Sequence, residues 1–292
     1  MTNKLNRYEN YVILLGTKGG PAIRYGSTNP TSNLLIMEKK IIIIDCGLGV
    51  TRSLVDNGVA LKDIDYVFVT HMHSDHYIEL GPLLHTSWCS GLNKKIIIYG
   101  PPELRRYWKN YIEAMKDDIE LRVTDEGRPN LKNLVTIKSI KTEKVEISTN
   151  LIINAIKNKH PPLTNSFALS FKGMNSHIVF SGDTTFLPAL AKFAKGADLL
   201  IHEAMLKNGL NSLVNRIGNT DDRLMSHLLR SHTMAEDVGK IASMAKVKSL
   251  AINHLIPSDD PSFSDSDWLT AIRLFWSGPL HVGKDNLRIN LQ

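Results

Sequence analysis

The chain predicts an α/β fold in which two β-sheets stack on each other and carry helices on both outer faces. Three observations lead there. Short apolar runs of strand length recur along both halves of the chain. Each half closes with helical segments, and sheets of this kind bury their second face under helices. From residue 187 onward, helix and strand alternate in the βαβ manner. No repeat, low-complexity tract or Pro/Gly/Ser linker divides the 292 residues, so one domain over 1–292 is expected.

The first strands cover residues 11–15, 33–37 and 41–44, the last running into Asp45-Cys46-Gly47-Leu48-Gly49, a turn before a helix over 51–57. Residues 66–69 form the next strand and end in a polar cluster. Gly81-Pro82 then interrupts any continuous helix, and Pro82 suits the first turn of a new one ending near Cys89. A strand over 95–99 is followed by Gly100-Pro101-Pro102, which opens a helix over 103–115. Residues 135–137, 145–147 and 151–156 are strand-like. Residues 167–171 and 177–181 form a hairpin around Lys172-Gly173-Met174-Asn175. Helix 187–194, strand 198–202, helix 235–245 and strand 249–253 complete the alternation.

Composition narrows the class. Apolar residues at 42% and charged residues at 22% are ordinary for a folded soluble protein. The longest apolar run, around Ile41-Ile42-Ile43-Ile44, is far short of the roughly 20 residues that span a membrane. Residues 1–10 are polar and lack a signal-peptide core, so a cytoplasmic protein with no membrane partner is expected. Cys46 and Cys89 stand outside any CxxC spacing and are expected to be reduced. A net charge of +6 tolerates an anionic substrate, nucleic acid included, but a solvated lysine-rich surface explains it equally well.

The most informative segment is His71-Met72-His73-Ser74-Asp75-His76, directly after the strand over 66–69. Packed together without a counterion, these imidazoles would repel when protonated and go unsatisfied when buried. Imidazole nitrogen and carboxylate oxygen are the usual ligands of zinc and its neighbours, so the pattern points to a metal. The plainer alternative is a polar loop with surface histidines. Three further candidates stand where strands stop: His160, Asp183 in Ser181-Gly182-Asp183-Thr184, and His254. Singly, each suits a helix cap or an exposed strand end; in this order behind the cluster, they suit a ligand set.

In these motifs the chain resembles the metallo-β-lactamase superfamily, from Leu14-Leu15-Gly16-Thr17 through Asp45-Cys46-Gly47 to His254, and within it the ribonuclease Z and arylsulfatase-like branch. Leu199-Leu200-Ile201-His202-Glu203-Ala204 and His232-Thr233 carry the second part of that likeness. The resemblance implies an αββα sandwich of two mixed β-sheets flanked by helices. It also implies two divalent ions, expected to be zinc with manganese or iron as alternatives. His71, His73 and His160 would bind the first, and Asp75, His76 and His254 the second, with Asp183 bridging. Two such ions can hold a nucleophilic hydroxide and clamp a substrate oxygen. Asp75 would orient that hydroxide, and His232, held by Glu203, would protonate the leaving group. Asp45, Gly47 and Gly49 would support the site. His85, His177, His202, His227 and His281 receive no role from spacing and are expected at the surface or in packing.

An aspartate bridge suits ester hydrolases better than true β-lactamases. The flavoprotein branch carries a glutamate where this chain has His73. The expected activity is therefore cleavage of a small ester (sulfate ester, phosphodiester or lactone) by a homodimer. Transfer-RNA 3′-end cleavage as in ribonuclease Z is the alternative. That enzyme docks RNA with a long arm between the third histidine and the bridging aspartate, and here residues 161–182 suffice only for a strand and a hairpin. A metal-binding protein without turnover is a further alternative, opposed by the complete ligand set. Tyr107, Trp108 and Tyr111 could cover the pocket or join subunits, though core packing is the commoner use of such a group.

Overall fold

The computed structural model describes residues 5–218 and 221–291; residues 1–4 of the polar N-terminal stretch lie outside it. The first half contains β1 (Tyr11–Gly16), β2 (Ser32–Met37), β3 (Lys40–Cys46), α1 (Val50–Asp56), β4 (Tyr66–Phe68), α2 (Leu80–Cys89), β5 (Ile96–Gly100), α3 (Leu104–Ala114), α4 (Lys116–Asp125), α5 (Leu131–Leu134) and β6 (Val135–Ser139). The second contains β7 (Val145–Ser148), β8 (Leu151–Lys157), β9 (Phe167–Lys172), β10 (His177–Phe180), α6 (Pro188–Phe193), β11 (Leu199–Met205), α7 (Leu210–Ile217), α8 (Arg223–Ser231), α9 (Ala235–Ala245), β12 (Leu250–Ile256), α10 (Asp265–Arg273) and β13 (Leu280–Val282). The last strand, β14 (Leu287–Asn290), returns to pair antiparallel with β1.

Two seven-stranded sheets result, in the orders β14-β1-β2-β3-β4-β5-β6 and β13-β12-β11-β10-β9-β8-β7. Each is mixed: β3 to β6 run parallel beside an antiparallel edge, and so do β10 to β13. This is the expected αββα sandwich. The side-chain period of two explains it. Ile41 and Ile43 of β3 point outward to the core under α1 and α2, while Ile42 and Ile44 point inward between the sheets. In the second sheet, Leu199 and Ile201 face inward, whereas Leu200 and Ala204 face the outer core under α6, α9 and α10. Strands apolar on both faces need cover on both, and each fully buried isoleucine contributes about 1.5–3 kcal/mol.

The structure departs from the expected elements in a few places. Gly81 and Pro82 lie inside the first turn of α2, which starts at Leu80, because proline costs nothing where the backbone N–H has no partner to lose. Residues 116–125, 131–134, 210–217, 223–231 and 265–273 form further helices beyond those the sequence predicts. Tyr107, Trp108 and Tyr111 pack on the outer core of the first sheet, and Tyr107 Oη accepts the Gly81 N–H at 3.0 Å; these aromatics serve packing. Cys46 and Cys89 are both free. No helix among the described residues is long and apolar enough to cross a membrane.

Candidate metal centre

The cluster, His160, Asp183 and His254 all meet at one edge of the sandwich, where β4, β8, β10 and β12 deliver them. Ligand atoms of His71, His73, His160 and Asp183 lie within 4.8 Å of one another, as do those of Asp75, His76 and His254. His73 Nδ1 stands 3.2 Å from His71 Nε2 and 2.9 Å from His160 Nε2. Asp183 Oδ2 lies between the two groups, 3.5 Å from His71 Nε2, 3.3 Å from His76 Nε2 and 3.1 Å from His254 Nε2.

The outer nitrogens fix which atoms face inward. His160 Nδ1 donates to the Ser231 carbonyl at 2.8 Å, and His76 Nδ1 donates to Asp45 Oδ2 at 2.8 Å. Thr70 Oγ1 donates to Asp45 Oδ2, so it can only accept from His71 Nδ1 at 3.1 Å. Assigned from this network, the neutral tautomers turn the Nε2 lone pairs of His71, His76 and His160 inward. His76 Nε2 is buried without a hydrogen bond, although Asp183 lies close. Lone pairs facing one another at these distances repel unless a cation sits among them, and histidines anchored through their second nitrogen are the usual metal-site pattern. The donor set fits divalent metal.

Charge follows the same geometry. Burial, and then the neighbouring imidazoles, lower His71 well below its ordinary value, and burial with like neighbours brings His73 and His160 down to about 4. Burial also lowers His76 and His254, but Asp183 with Asp75 and, for His76, Asp45 outweighs it, so both are raised. Burial would raise the carboxyls of Asp75 and Asp183, yet the surrounding imidazoles hold both below the usual range.

Backbone features press the candidate ligands into place. Asp45 adopts φ 64°, rare for a residue with a side chain, and its carboxylate also accepts the Thr70 N–H at 2.7 Å. His254 was expected at a strand tip. It lies instead within β12, at φ 45°, where the pairing register with β11 shifts, and that bulge turns its ring into the site. The Gly20 N–H donates to Asp75 Oδ2 at 2.9 Å, and a Cβ on Gly19 would stand 2.9 Å from the His254 ring, so the loop after β1 closes directly on two of the candidate ligands.

Glu203 and His232 also come together, with Nδ1 to Oε2 at 2.8 Å, while the Thr184 N–H holds the other Glu203 oxygen at 2.6 Å. Burial and the charge of Asp183 raise Glu203, and burial lowers His232 to about 4. With Nδ1 occupied, the free edge of His232 faces a cavity of about 270 Å³ whose floor includes His73, Asp75, Asp183 and His254. Its wall is α7 and α8, through Leu213, Ile217, Leu224 and Leu228, and Lys18 and Arg24 line it as well. His227 lines this cavity too, which corrects the surface or packing place expected for it. The signal was present: residues 224, 227, 228 and 231 follow the helical period, and all but Ser231 line the cavity.

An αββα sandwich with such a donor cluster at its edge defines a metal-dependent hydrolase of the metallo-β-lactamase fold. Within that class the chain belongs to the family described as anti-Pycsar protein Apyc1, which matches residues 11–245. It is 25% identical over 283 residues to a ribonuclease Z from Mycobacterium bovis, covering 96% of this chain and 98% of that one. Among solved structures, the metallo-β-lactamase fold protein YhfI from Bacillus subtilis superposes with a TM-score of 0.72 at 19% identity, over 97% of this chain and 99% of that one. The short form of human tRNase Z gives 0.69 at 19% identity, over 97% and 99%.

Proposed function

We propose that the chain is a cytoplasmic phosphodiesterase that holds two divalent ions, zinc first among them, and acts on a small substrate. The observation that carries this reading is the convergence of seven candidate ligand side chains, four of which (His73, Asp75, Asp183 and His254) line a walled cavity of about 270 Å³. His71, His73 and His160 would hold one ion and Asp75, His76 and His254 the other, with Asp183 shared. When bound, such a pair supplies an activated water near neutral pH and positive charge against the phosphoryl oxygens. Asp75, fixed by the Gly20 N–H, orients the attacking water. His232 would pass its Nε2 proton to the leaving oxygen as the Glu203 carboxyl, held protonated by burial, gives its own proton to Nδ1, so that the ring stays neutral throughout. Helices α7 and α8 set an apolar wall beside the floor. Relatives named ribonuclease Z support a phosphodiester over a sulfate ester or lactone.

Those relatives, matched over 96% of the chain, also support a second reading, transfer-RNA 3′-end cleavage. Residues 161–182 weigh against it, since they run into the β9–β10 hairpin where an RNA-docking arm would be inserted. The deciding test compares bis-p-nitrophenyl phosphate, p-nitrophenyl sulfate, a lactone and a precursor transfer RNA on one metal-replete sample. Preference for the diester supports the small-substrate reading; preferential cleavage of the RNA at its 3′ end establishes the second; preference for the sulfate or lactone overturns both.

A further inference from the structure

We propose that His227 is a substrate-binding residue that accepts a hydrogen bond from a hydroxyl or N–H group carried by the substrate beside the scissile ester. The proposal rests on the phosphodiesterase reading and adds a class of substrate to it. His227 sits on α8 with its ring centroid 5.8 Å from that of His73, 6.1 Å from His160 and 6.0 Å from His232. It thus borders the floor of the cavity without joining any of the converging donor groups among the described residues.

Its tautomer follows from one serine. Ser231 Oγ donates its single proton to the Pro161 carbonyl at 2.7 Å, so toward His227 Nδ1, at 3.4 Å, it can only accept. Nδ1 therefore carries the ring proton, and Nε2, on the opposite side of the ring, presents a lone pair. Such an acceptor repels phosphoryl oxygens, which belong to the metal cluster. It suits a donor instead. The apolar neighbours Leu224 and Leu228 offer that donor no competing partner, so a substrate lacking it leaves Nε2 unpaired.

The test uses 3-hydroxypropyl p-nitrophenyl phosphate and propyl p-nitrophenyl phosphate, which differ only in the hydroxyl, with products identified by mass. In the wild type, kcat/KM should favour the hydroxyl-bearing ester by about tenfold. In His227→Ala and His227→Phe the ratio should fall to about one, with metal content per chain unchanged. A wild-type ratio near one, or a ratio that survives in both variants, overturns the assignment. Calorimetric binding of 3-hydroxypropyl phosphate and propyl phosphate to the metal-loaded protein gives a readout independent of turnover. If the wild type cleaves no phosphodiester, the broader reading fails, and a hydroxyl preference in binding that His227→Ala abolishes still supports the role of His227.

Discussion

Asp183 is the residue on which the candidate centre turns, because its Oδ2 lies close to imidazoles of both groups. Asp183→Ala should abolish turnover, by at least about a thousandfold, and loosen metal, as elemental analysis would show. His232→Ala should retain metal and lose about 10²–10⁴-fold in rate on esters with poor leaving groups, and far less on p-nitrophenyl esters, which depart without a proton. Full activity of His232→Ala on a poor leaving group would refute its role. The two ligand groups should also part on acidification. A histidine binds metal only when neutral, so protons compete below its own pKa. His76 and His254 are raised, whereas His73 and His160 stay neutral down to about 4. As pH falls, bound metal should drop first at the Asp75–His76–His254 group, and at the other only near 4; metal measured after dialysis at each pH should show two steps. The converging donor cluster was legible in the sequence because clustered histidines have few other uses. His227 was harder to place, because its only signal is the helical period it shares with Leu224, Leu228 and Ser231, and that period does not say which face meets the cavity.

At the level of elements, strand alternation was the readable feature. The four isoleucines of β3 announce a strand buried on both faces, and the structure sends them alternately to two cores. Ile43→Ala should cost about 2–5 kcal/mol in denaturant unfolding, and a loss below 1 kcal/mol would mean the outer core closes around the gap. Helices α7 and α8 were missed although Leu210, Leu213, Val214 and Ile217 keep the helical period. Asn, Ser and Arg interleave with them, and helices this short form mainly through packing that a sequence does not display. The bulge at His254 was equally hidden, since a register shift between β11 and β12 leaves no mark in the sequence of either strand.

For the molecule as a whole, Asp259 ties together segments that line the cavity. Its carboxylate lies 3.5 Å from Lys18 Nζ, 2.8 Å from Arg24 Nη1 and 3.2 Å from Arg216 Nη1, joining the loop after β1, α7 and the segment after β12. Asp259→Ala leaves the buried Lys18 ammonium uncompensated, at a cost of about 1–3 kcal/mol. Amide exchange should quicken over 210–217 and KM should rise, while strands of both sheets keep their protection; unchanged exchange in α7 would argue against the tie.

The wall formed by α7 and α8 has a small apolar cluster of its own, including Leu210, Leu213 and Leu228 with Met205 and Ile256, distinct from the three larger cores. A region seated on so few contacts opens at lower free energy than the layers beneath it. On warming, such a protein forfeits its catalysis while its circular dichroism still reports an intact scaffold, and cooling restores the activity without any refolding.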